Sequence, residues 1–84
     1  MDTVTRAQDV LARRFPGATI ELGFFHGARR AHGHMLWAGF EDMEQIDRQQ
    51  AVYNALRDEL GPDAASVSII LTYTPDEFEL MSAA

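Results

Sequence analysis

Along the first turns of the chain Val4, Ala7, Val10 and Leu11 recur at helical spacing, Phe15 follows, and polar side chains fill the gaps. That pattern predicts an amphipathic helix, with Thr5 and Gln8 as a capping box near its start and Phe15-Pro16-Gly17 as its stop. From residue 18 the period drops to two: Ala18, Ile20, Leu22 and Phe24 alternate with Thr19, Glu21 and Gly23, which predicts a half-buried strand. Residues 25–31 have no period and read as a hairpin loop leading to a second strand over 32–38. There His32, His34 and Leu36 share one face, and Met35 and Trp37 point to the core from the other.

Asp42, with Gln45 reaching back, is the expected cap of a long amphipathic helix. Its expected buried stripe is Ile46, Val52, Tyr53, Leu56 and Leu60, its solvated face Asp47, Arg48, Arg57, Asp58 and Glu59, and its end Gly61-Pro62. Residues 66–73 are β-branched and aromatic with both faces apolar, which predicts a strand covered on both sides. Thr74-Pro75-Asp76-Glu77 combines a cap hydroxyl, a proline at the first helical position and a reciprocal glutamate, and so opens a short terminal helix containing Phe78 and Met81. The order is α-β-β-α-β-α. It predicts an α+β two-layer sandwich in which a three-stranded mixed sheet carries helices on one face, the last strand running parallel to a neighbour through the helical crossover. At 84 residues the expectation is one domain, 1–84.

Composition narrows the functions. Without cysteine there is no disulfide framework, no Cys-ligated zinc, no thiol nucleophile and no self-contained iron-sulfur site. A net charge of −6 and a pI near 4.8 set the average field against phosphate backbones and anionic lipid, so nucleic acid is a disfavoured partner. All seven basic residues are arginines. Of these Arg13 and Arg14 close the first helix, where cations suit the carbonyl end of the dipole, and Arg29, Arg30 and Arg48 remain as candidate contacts to a partner or a nucleic acid. No basic-then-apolar leader and no run of about 20 apolar residues occurs, which leads us to expect a cytoplasmic protein without a membrane span.

The three histidines are the candidates for metal chemistry, spaced His26-x5-His32-x-His34. On a strand His32 and His34 project from one face, within reach of a shared metal if a carboxylate such as Glu21 joins them. Surface histidines on a solvated strand are the commoner reading. Ser66 and Ser68 have no indicated base, and no nucleotide or hydrolase motif occurs, so no enzyme activity is expected.

Three blocks in order resemble the BolA family: Phe15-Pro16-Gly17-Ala18-Thr19-Ile20-Glu21, the stretch from Phe40 through Arg48 and Val52-Tyr53-Asn54-Ala55-Leu56 to Leu60, and Thr72-Tyr73-Thr74-Pro75-Asp76-Glu77-Phe78. They cover about half of the chain. The resemblance implies a KH-like topology and a non-enzymatic adaptor that docks on a monothiol glutaredoxin. It also implies a shared 2Fe-2S cluster, to which the glutaredoxin and glutathione supply thiolates and the BolA-like chain an imidazole. Some members of the family are stress-linked transcriptional regulators. The position that aligns with the family's ligand histidine is Ser66, a poor donor to iron. The family's second ligand comes from the loop between the first two strands and aligns near Arg29 or Arg30, with His26, His32 and His34 nearby. A homodimer, a KH-like nucleic-acid binder and a diverged interaction module without metal chemistry are the alternatives.

Overall fold

The computed structural model describes residues 2–83. Helix α1 spans Thr3–Arg14, and its cap is Asp2, not the Thr5–Gln8 pair: the Asp2 carboxylate accepts the Thr5 backbone N–H at 2.8 Å, a bond that lowers its pKa. Ala7, Val10 and Leu11 form the buried stripe. After Phe15 a glycine with φ +88°, Gly17, turns the chain into β1, Thr19–Gly23. A 3₁₀ turn at Phe25–Gly27 occupies the expected loop, and β2 runs from Ala31 to Leu36, displaced towards the N-terminus from the expected span.

Helix α2, Gln45–Leu60, begins two residues later than a cap at Asp42 implies. Asp42 instead lies in the left-handed region at φ +68°, and Glu44 occupies the cap position without a side-chain hydrogen bond. Gly61 (φ +57°) and Pro62 end the helix and a 3₁₀ segment, Gly61–Ser66, leads into β3, Val67–Tyr73. Helix α3, Pro75–Ser82, opens with the complete reciprocal box that the sequence predicts: Thr74 Oγ1 accepts the Glu77 N–H, and Glu77 accepts the Thr74 N–H.

The sheet order is β1-β2-β3, β1 antiparallel and β3 parallel to β2, so the fold is α+β with a mixed sheet. One apolar cluster joins α1, α2 and the inner sheet face, with Leu11, Met35 and Phe40 fully buried. Trp37 closes it at the rim, edge-on to Phe15 at 5.0 Å, its indole N–H donating to the Pro16 carbonyl. Arg13 and Arg14 do more than finish α1: they reach Glu59 at 2.7 and 3.3 Å and tie α1 to α2, the Arg13 hydrogen bond first among the causes that hold Glu59 below its usual range.

Two expectations about burial fail. The core covers one face of the sheet, so on β3 Val67, Ile70 and Thr72 are buried, whereas Ile69 is 58% and Leu71 46% exposed, and β3 is also the edge strand. The α2 stripe next to that edge therefore overhangs solvent, leaving Ile46 76% and Tyr53 54% exposed beside a groove of about 280 Å3. No helix among the described residues is long and apolar enough to cross a membrane.

Candidate functional site

The loop between β1 and β2 and the start of β3 meet at one end of the sheet, because β2 and β3 are parallel and Ala31 pairs with Val67. The chain thus brings residues 24–30 and Ser66 to one edge of the molecule. Arg30 fixes the junction by donating from Nη2 to the Val67 carbonyl at 3.4 Å. Ser66 is exposed. His26 sits in the 3₁₀ turn at φ +58°, a left-handed conformation that histidine adopts more readily than β-branched residues do. It is exposed and, among the described residues, has no hydrogen-bond or ion-pair partner.

His32 and His34 do share a face, the one opposite the core, and each has its own partner. His32 donates from Nε2 to the Phe25 carbonyl at 3.2 Å and meets the Phe25 ring edge-on at 5.4 Å. Register places Glu21 directly opposite His34, with Oε2 3.2 Å from Nε2, while the Phe78 ring of α3 stacks on the imidazole at 5.1 Å. The three imidazoles do not converge. No group of three or more His, Asp or Glu side chains that could hold a metal exists among the described residues. Any metal at this end needs donors from another molecule, and His26 is the imidazole of the three left open to it.

Arg48 is a correction. Expected as a surface contact for a partner or phosphate, it is 4% exposed and wholly used inside the fold. Its guanidinium meets Glu77 in a bidentate pair at 2.7 and 3.1 Å, donates from Nε to the Met43 carbonyl, and lies 5.5 Å from the Phe40 ring centroid. The Glu77 hydrogen bond raises the Arg48 pKa, and the same bond leads the causes that depress Glu77 from 4.5 to about 2. A signal for this was present in the sequence: Arg48 lies four residues before Val52 on the stripe that continues through Ala55, Leu56 and Leu60, the buried side of α2.

Sequence reasoning also missed two glutamines. Gln45 and Gln49, one helical turn apart on α2, donate to the Thr72 and Ile70 carbonyls at 3.1 and 2.9 Å, and Thr72 Oγ1 donates to Gln45 Oε1 at 2.8 Å. These carbonyls face away from β2, so the glutamines cap the free edge of the sheet. Arg29 and Arg30 remain exposed with no carboxylate partner among the described residues, unlike Arg6, Arg13, Arg14 and Arg48. No family model matches the chain, and no curated protein matches it.

Proposed function

We propose that this chain is a non-enzymatic adaptor of the BolA type, which docks on a monothiol glutaredoxin through the sheet end formed by residues 24–30 and Ser66. The observation that carries the reading is the meeting of an open imidazole, His26, with the start of β3 at one end of an α-β-β-α-β-α fold. In this reading His26 supplies the chain's one donor to a 2Fe-2S cluster, and the partner and its glutathione supply the thiolates. The donor set fits in part only, since a serine hydroxyl at position 66 is a poor ligand for iron. Arg29 and Arg30, free of internal carboxylates, supply charge for docking.

The test is an anaerobic titration of the protein into glutathione-bound, cluster-loaded monothiol glutaredoxin, followed by visible circular dichroism. A saturable change that is lost in His26→Ala and strengthened in Ser66→His supports the reading. An unchanged spectrum without co-elution overturns it. Co-elution with no spectral change in wild type or variant keeps the adaptor and removes the ligand, leaving the diverged interaction module that Ser66 favours.

A further inference from the structure

Two adjacent phenylalanines follow the end of β1, Phe24 at 55% and Phe25 at 46% exposure. Phe25 has neighbours, packing over Gly23 and edge-on to His32. Phe24 belongs neither to the core cluster nor to any aromatic pair among the described residues, whereas Phe15, Phe25, Phe40 and Phe78 each meet another ring. The turn that carries it is braced. The Ala28 N–H and His32 Nε2 both donate to the Phe25 carbonyl, each at 3.2 Å, and Arg30 ties the far side of the turn to Val67. An apolar ring on a turn already held in place docks at little further cost in ordering.

The same turn is a basic island in an acidic chain. From Leu22 to Phe40 the sequence has no Asp or Glu and two arginines, a formal charge of +2 in a chain of −6, which leaves −8 on the rest. Two carboxylates lie on elements that lead into this end, and both are taken: Glu21 is set against His34 and Asp63 pairs with Arg6. Arg29 and Arg30 are exposed and have no carboxylate partner among the described residues, and Arg29 makes no side-chain hydrogen bond there.

We propose that this turn is a docking loop for an acidic protein surface, in which Phe24 enters an apolar pocket of the partner and Arg29 and Arg30 pair with carboxylates at its rim. The proposal rests on the adaptor reading for the sheet end it uses, but not on a cluster or on His26. The size of the island selects carboxylates over a nucleic acid. A phosphate backbone that runs past two arginines meets the −8 on the remainder of the chain, whereas a compact acidic patch faces the island alone.

Amide NMR shifts of the full chain, titrated with polyglutamate, with a random copolymer of glutamate and tyrosine and with oligothymidylate, test the proposal. Both polypeptides are expected to shift residues 23–32, the copolymer binding more tightly and both weakening as salt rises. Phe24→Ser lowers copolymer affinity about tenfold, the loss of one buried ring, and leaves polyglutamate binding unchanged. Arg29→Glu abolishes both and Arg29→Lys restores them. Failure of either polypeptide to bind, shifts that map away from this turn, or tighter binding of oligothymidylate overturns the proposal. The adaptor reading fails separately: copolymer binding at this turn without co-elution of the glutaredoxin removes that reading and keeps the docking loop. Co-elution unchanged in Phe24→Ser and Arg29→Glu keeps the adaptor and removes the loop.

Discussion

Arg48 joins three segments through one side chain: the turn before α2, the edge of β3 and the first turn of α3. Its removal takes the Arg48 donor from the Met43 carbonyl and from Glu77, while Thr72 keeps Gln45 and the half-exposed Glu77 keeps the Thr74 N–H. Arg48→Ala is therefore expected to cost about 2–3 kcal/mol in chemical denaturation, below the loss seen when the orphaned charge is buried. Glu77 adds a pH signature. Its carboxyl is lower in the folded chain than in the unfolded one, so its contribution is complete above the ordinary value of 4.5 and is lost as pH falls towards about 2. The stability gap between wild type and Glu77→Gln should be flat at neutral pH and close on acidification through that window. A gap that persists at the acid end assigns the effect to the geometry of the Thr74 box.

At the scale of the element, the weakest join is the start of α2, where Glu44 has extended cap geometry, φ −66° and ψ 152°, and makes no cap bond. A shorter carboxylate there reaches the orphan N–H groups and keeps the charge. Glu44→Asp is expected to stabilise by about 0.5–1 kcal/mol, read as a rise of about 4 °C in thermal midpoint. What was legible along the chain follows the same local logic. The change of period at residue 18, the Thr74–Glu77 box and the Gly61-Pro62 stop are each decided by side chains within a few residues of one another. Arg48 was misread because its partner lies 29 residues away, and helical spacing among charged neighbours is blind to that arrival. Ile46 and Tyr53 were misread because period alone does not reveal that the strand beside them is the last of its sheet. At the site, the shared face of His32 and His34 and its neighbour Glu21 were legible from strand parity. The separate engagement of each ring was not, since Phe78 arrives from another element.

Over the whole molecule, the sheet allows β1 and β2 to approach closely at one point. A Cβ on Gly33 runs into the Glu21 backbone oxygen, an atom that moves only if the strands part. Gly33→Ala is expected to cost about as much as the stability of a small domain, about 5 kcal/mol, and to leave the chain largely unfolded by far-UV circular dichroism at room temperature. Native circular dichroism with an unshifted thermal midpoint refutes it. The position also coincides with the register slip between β2 and β3, where Ala31 pairs with Val67 but Gly33 with Ile70. The sheet thus has a fixed geometry on both sides of its central strand.

The glutamines on α2 have a consequence for the protein in crowded solution. An edge strand templates further strands through a row of vacant carbonyls, and at Ile70 and Thr72 that row is already taken by Gln49 and Gln45. The two amides act as a counterfeit fourth strand. A further strand on this side has to displace the two amides from those carbonyls first, so whatever holds α2 against β3 also opposes strand addition there.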